Sequence, residues 1–377
     1  MNTTRRLEGW KVGRLEGALI ALLSIIPTFQ LSAQDSQFGI HGLGTPGRWE
    51  SVRARGSGGA FALFDPMSPI MEAAVADIGR LTATAGAGAS YRDADVGGTT
   101  TALRNTRFPL MAVAGPVASH FAISAGFTTY LDRTWSVTLR DSAVLRGTLQ
   151  RYTDQVTSDG SISDVRFVVA SRASRRIAIG GAVHLLAGST REAAFRHYDD
   201  STFVTTPQVA EVRYSGFGVS GSVLLGVAPG VTLAGWARSD NRLRAKVADT
   251  TTSVTDLPRM AGAGLVLVPS ARVRFAGSVA WRSWSHAGAG AFNTWSWSGG
   301  TEVDAGALQF RVGARGGQMP FGPGTTAPTE FAAAAGVGRA FAQGRALVDV
   351  ALERLKRQGG GLTERVWTVL AGFTVRP

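Results

Sequence analysis

The feature that most constrains this chain is an alternation of period two, repeated in segment after segment from Arg80 to the C-terminus. In the run from Ile177 to Leu185 the odd positions are mostly large and apolar, and the even ones are small or polar. From Arg272 to Arg282, Val273, Phe275, Val279 and Trp281 share one face, while Arg272, Arg274 and Arg282 share the other. Leu308–Arg315 and Asp164–Val169 repeat the scheme. Successive side chains of a strand point to opposite faces, so each segment reads as a strand with one apolar face and one polar, small or basic face.

About fourteen such segments follow one another, near 80–91, 107–115, 119–131, 162–171, 175–190, 210–226, 230–245, 259–268, 271–284, 291–301, 305–317, 328–341, 345–356 and 364–376. The connections alternate. Short ones such as Gly115-Pro116, Pro269-Ser270 and Gln343-Gly344 are interleaved with long ones at 92–106, 132–161, 191–209, 246–258 and 318–327. An even number of antiparallel strands, with short turns on one side and long loops on the other, is the pattern of an outer-membrane barrel. Closure follows from hydrogen bonding, because in hydrocarbon only a sheet without edges satisfies every backbone group. The expected fold is therefore all-β: a transmembrane antiparallel β-barrel of about fourteen strands, covering 80–377, with the outer membrane of a diderm bacterium as its location. Trp281, Trp284, Trp295, Trp297, Trp367 and Phe373 suit aromatic girdles at the headgroup level. The 132–161 connection, with Leu139, Val144, Leu145 and Leu149, is the candidate outer-face lid.

The first residues read as an address. Arg5, Arg6, Lys11 and Arg14 precede the apolar run Ala18–Ile26, Pro27 breaks it, and Leu31-Ser32-Ala33 supplies small residues before Gln34. This is the layout of a secretory signal peptide over 1–33, and the run is shorter than the roughly 20 residues a membrane helix needs.

The formal charge is +12, carried almost wholly by arginine. The arginines are scattered singly along alternating segments, with no nucleic-acid motif, so nucleic acid is not an expected partner. Cysteine is absent, which removes disulfides, thiolate metal sites and thiol nucleophiles. No histidine or acidic spacing matches a metal site, and no cofactor is implied. If the apolar face meets lipid, the lumen face holds Arg166, Arg172, Arg176, His184, Arg238, Arg242, Arg244, Arg272, Arg274, Arg282, Arg311 and Arg315, with Asp164, Asp240, Asp349 and Glu353. An arginine on the lipid face costs about 2–4 kcal/mol at the bilayer midplane, so the direction is set by physics. Arg166, His184, Arg238, Arg311 and Arg315 are the candidate ligand-binding residues, because a guanidinium can hold a carboxylate through two parallel bonds. Cross-bracing of the barrel by Arg–Asp/Glu pairs is the competing use. Arg172, Arg176, Arg272 and Arg274 lie near strand ends, where water is close. No nucleophile elbow sits on a strand-to-helix turn, and His184 reads as a satisfied lumen residue, so catalysis is not expected.

Residues 34–79 do not alternate. They are rich in glycine and include a short helix pattern after Ser68, with Ser68 as N-cap and Pro69 at the first helical position. A segment of this size is either a free extension or a plug, and a fourteen-strand barrel is wide enough to need filling. The run Ser51–Phe61, followed by Asp65-Pro66, resembles the N-terminal hatch of the FadL-type long-chain fatty-acid transporters. Phe310–Gly313, Pro328–Phe331 with Gly336–Gly338, and Leu347–Ala351 are similar to that family's tail. The family pattern usually has Asn-Pro-Ala where this chain has Asp65-Pro66-Met67.

The resemblance implies a fourteen-strand barrel with the hatch in its lumen, with Arg53, Arg55, Gly56, Asp65 and Pro66 as hatch residues. It also implies passive uptake of hydrophobic or amphipathic, fatty-acid-like molecules, with exit after hatch movement or through the wall. The implied partners are outer-membrane lipid, a hydrophobic small molecule and, during biogenesis, the barrel-assembly machinery. A same-family barrel acting as an envelope or secretion partner protein is the alternative, and a barrel enzyme the third.

Overall fold

The structure, a computed structural model, describes residues 36–96 and 99–377. The expected signal peptide lies outside the described residues. The first strand of the wall is β2 (Thr82–Val96), preceded by a two-residue strand, β1 (Thr45–Pro46). β3 (Thr99–Ala118) and β4 (Phe121–Asp132) follow, and after a break at Arg133-Thr134 the β4 stave continues as β5 (Trp135–Leu145). Next come β6 (Thr148–Arg172), β7 (Ile177–Tyr198) and β8 (Gln208–Ala228). β9 (Val231–Asp240) continues as β10 (Arg242–Val247), and β11 (Thr250–Asp256) continues as β12 (Arg259–Ser270). The wall is completed by β13 (Val273–Arg282), β14 (Thr294–Ala305), β15 (Leu308–Gln318), β16 (Thr329–Phe341), β17 (Ala346–Gly359) and β18 (Leu362–Val375).

The wall strands pair antiparallel with their neighbours, and β18 returns to β2 from Leu362↔Val96 to Val375↔Ala83. Among the described residues this makes a closed barrel of fourteen staves. Phe121, Ile123, Phe167, Val169, Ile179, Val183, Phe310, Val312, Val369 and Phe373 are all exposed on its outside. Asp164, Arg166, His184, Arg238, Glu302, Arg311, Arg315, Asp349 and Glu353 are buried within. A closed ladder, apolar outside and charged inside, is what a bilayer requires of a spanning sheet.

Four expectations need correction. First, most of the long connections are ladder rather than loop: β6 runs 25 residues, and β5 pairs with it from Trp135↔Ser158 to Leu145↔Thr148. The 132–161 stretch is thus a continuation of the wall and not a lid. Outside the bilayer an outward face need not be apolar, so the period-two signal fades while β-branched pairing persists. Second, Arg242 and Arg244 point outward, with Leu243 and Ala245 buried between and beside them. The pairing of β9 with β8 (Gly218↔Asp240) and that of β10 with β8 (Ser215↔Arg244) differ by one residue. A one-residue slip exchanges the two faces. Third, Trp284 is only 2% exposed and sits inside, whereas Trp295, Trp297, Trp367 and Phe373 are exposed outside. Fourth, no α-helix starts at Ser68. A five-residue helix, α1 (Val52–Gly56), forms under the Ser51 cap, and Ala73–Asp77 is a 3-10 turn. Ser68 is tied elsewhere: its Oγ accepts from the Ser51 N–H at 3.0 Å and donates to Asp65 at 3.3 Å.

Candidate functional site: the lumen

The segment 36–79 bonds to inward-facing side chains on staves around the whole barrel. Glu364 on β18 accepts from the Ser36 hydroxyl at 2.8 Å and the Gln37 N–H at 2.6 Å. The Gly47 N–H donates to the Tyr130 carbonyl on β4, and the Ala73 N–H donates to Ser222 on β8. Arg53 holds Glu302 on β14 through Nε at 3.1 Å and Nη2 at 2.8 Å, and Arg55 reaches Glu353 on β17 at 3.1 Å. Asp65 ties the segment to itself, accepting from the Met67 N–H and from the Ser51 and Ser68 hydroxyls, and Pro66 beside it is partly buried. Gly56 lies against Gly336, where a Cβ on Gly336 would stand 2.9 Å from the Gly56 Cα. Gly58 has φ +69°, and a Cβ there would meet the Ala314 N at 2.6 Å. Only glycine allows both that backbone shape and that approach.

The candidate binding arginines are, with one looser case, ion-paired. Arg311 reaches Glu302 at 2.7 Å and Asp349 at 2.6 Å. Arg315 clasps Glu353 at 2.6 and 2.9 Å. Arg238 bonds Asp164 at 2.5 Å and Asp240 at 2.8 Å, with its guanidinium over the rings of Trp49 and Tyr130. Arg166 is the looser case, 3.8 Å from Glu72. These groups brace the wall and the segment inside it. Among the strand-end arginines, Arg172 pairs with Asp77, Arg274 with Glu302 and Asp304, and Arg176 and Arg272 are exposed.

His184 sits between Asp164, 2.9 Å from its Nδ1, and Ser220, 2.8 Å from its Nε2. The order Ser–His–Asp is that of a hydrolytic triad. Ser220, however, donates its one hydrogen to Glu72 at 2.5 Å, so it does not hand that proton to His184. The strand N–H groups beside it serve the ladder, which leaves no preformed oxyanion site. The chain Asp164–His184–Ser220–Glu72 works as an anchor for the segment.

A cavity of about 140 Å³ lies between the segment and β12–β15. Trp49, Tyr130, Trp236, Met260 and Trp284 give it apolar walls, and Arg48, Arg282 and Arg315 line it as well. Trp49 and Tyr130 stack at 5.8 Å. Arg48 donates to Glu50 at 2.6 Å, and burial, reinforced by Arg315, lowers its guanidinium to about 10 against the pull of Glu50 and Glu330. Arg282 donates to Ser296 at 3.2 Å and, among the described residues, has no carboxylate partner. The indole N–H of Trp284 is buried with no acceptor.

Trp236 was not singled out from the sequence, although it shares the inward phase of Arg238 two residues away. Nothing in the sequence marked Arg282 apart from the other lumen arginines.

A FadL homologue from Pseudomonas aeruginosa superposes with a TM-score of 0.62 at 12% identity, covering 88% of this chain and 99% of that one. The chain has the FadL-type fold. The toluene transporter TodX of P. putida gives 0.58 at 11% identity over 88% of this chain and 99% of its own. The monoaromatic hydrocarbon channel CymD gives 0.55 at 11% identity over 87% and 97%. No protein-family model and no curated protein sequence matches the chain.

Proposed function

We propose that this FadL-type barrel is an outer-membrane channel for the passive uptake of hydrophobic or amphipathic small molecules, fatty-acid-like ones among them. One observation carries the reading: an aromatic-walled cavity inside a closed barrel, with a guanidinium, Arg282, that forms no ion pair among the described residues. A mostly apolar pocket with a few convergent polar groups is the ordinary form of a small-molecule site. Two structural neighbours, a toluene transporter and a monoaromatic hydrocarbon channel, support the same class of cargo. In this reading residues 34–79 act as the hatch, the apolar exterior meets outer-membrane lipid, and the barrel-assembly machinery inserts the chain. Liposomes carrying the intact protein take up a labelled hydrophobic probe faster than empty liposomes; equal rates would remove the proposal.

A second reading rests on Ser220, His184 and Asp164, whose spacing is that of a hydrolase. The bond from Ser220 to Glu72 and the committed strand backbone favour a non-catalytic role. A serine-directed fluorophosphonate that labels Ser220 would restore the enzyme.

A further inference from the structure

We infer that the lumen cavity selects a small aromatic acid, a single ring bearing a carboxylate, over a neutral ring and over a long acyl chain. This deepens the uptake reading and rests on it.

Size comes first. The cavity measures about 140 Å³, and an apolar cavity of about 150 Å³ holds one benzene ring. A long acyl chain occupies several times that volume.

Shape agrees. Trp49, Tyr130, Trp236 and Trp284 line it from the segment and from the wall. Aromatic walls favour an aromatic guest through offset and edge-on contacts that a flexible chain does not make.

The polar groups then choose the charge. Arg282 and Trp284, two residues apart where β13 ends, both line the cavity, and guanidinium and indole are donors only. Arg282 spends one N–H on Ser296, and among the described residues neither Trp284 Nε1 nor Arg48 Nε has an acceptor. Of the carboxylates that also line the cavity, Glu330 is held by Arg357 at 2.8 Å, and Glu50 accepts from Arg48 through Oε1 while its Oε2 has no partner among the described residues. Unanswered donors thus outnumber the one unanswered acceptor, Glu50 Oε2, and a ligand carboxylate offers two oxygens in the geometry a guanidinium fork matches. A neutral hydrocarbon leaves these buried donors unanswered, the situation that gives polar sites their discrimination.

The test is calorimetric titration of the purified full-length protein in detergent at pH 7 with benzoate, toluene and decanoate, alongside liposome uptake of the same three. The expected result is at least tenfold tighter binding of benzoate than of toluene or decanoate. Arg282→Gln abolishes that preference. Trp284→Phe, which removes the indole donor, weakens benzoate severalfold. Arg282→Lys keeps the charge without the fork and falls between, which keeps the test intact should the glutamine variant not fold. Equal affinities for benzoate and toluene, a tenfold preference for decanoate, or a benzoate preference that survives Arg282→Gln overturns the inference. If toluene or decanoate enters liposomes without a benzoate preference, only this inference falls. If none of the three enters, the uptake reading falls with it.

Discussion

Arg315 on β15 clasps Glu353 on β17 through two bonds of 2.6 and 2.9 Å, passing across β16. The crossing is possible because β16 faces the lumen with small residues: Ala332, Ala334, Gly336 and Gly338. A Cβ on Gly338 would lie 2.8 Å from the Arg311 guanidinium, which makes the same crossing to Asp349. Glu353 is buried between Arg315 and Arg55, so removing it strips both guanidinium groups of their nearest carboxylate. Glu353→Ala is expected to cost about 3–5 kcal/mol in denaturant unfolding from lipid vesicles, while replacing Glu353, Arg315 and Arg55 together by apolar residues of similar volume costs much less. Equal losses for the single and triple replacements would refute this account of the brace.

Ser220 is expected to matter for stability and not for chemistry. Ser220→Ala removes the acceptor or donor between His184 and Glu72, leaves a buried polar group unsatisfied, and costs about 1–3 kcal/mol. Hydrolysis of a small chromogenic ester by the wild type should stay at the background of empty micelles. Ester turnover that disappears in Ser220→Ala would reverse the assignment.

The barrel was legible because two independent signals agreed. Period two gave the strands, and the cost of arginine in hydrocarbon gave the direction of Arg166, Arg238, Arg311 and Arg315. What a guanidinium pairs with was not legible, since Arg311 and Arg315 find carboxylate partners two strands away while Arg282, in the same inward phase, has none among the described residues. The outward turn of Arg242 and Arg244 comes from a one-residue register shift near Asn241, which no local pattern announces. Trp284 was misplaced for a related reason: it lies past the end of β13 in a 3-10 turn, where strand phase no longer applies.

The outer extension of β6 and β7 offers a pH test away from the bilayer. Arg196 bonds Asp154 through two contacts of 2.7 Å, and those hydrogen bonds hold the Asp154 carboxyl below its ordinary value. A depressed folded-state value means that the contribution is complete above the ordinary aspartate range and is lost as pH falls through the lower, folded value. Amide exchange in residues 193–198, corrected for intrinsic rate, should therefore accelerate on acidification from pH 7 to below the ordinary aspartate value of about 3.9. In Asp154→Asn the acceleration should be absent. Identical pH responses in the two proteins would show that the pair does not hold the extension.

The seating of α1 depends on a bare patch of wall, and that dependence can be broken from the wall side. A Cβ on Gly313 of β15 would stand 2.1 Å from the Ser57 carbonyl oxygen, and one on Gly300 of β14 would stand 2.5 Å from the same atom. Both are backbone contacts, so no side chain can swing aside to relieve them. Gly313→Val should therefore lift the C-terminal end of α1 off the wall and disturb the Arg53–Glu302 and Arg55–Glu353 bonds that flank it. If the segment stoppers the lumen, single-channel conductance in a planar bilayer rises well above that of the wild type. Gly299→Val is the matched control, on the neighbouring strand with nothing within 4 Å of the added carbon, and it should conduct as the wild type does. Gly313→Val protein that folds, as judged by heat-modifiable gel mobility, yet conducts like the control would mean that residues 36–79 are not what closes the barrel.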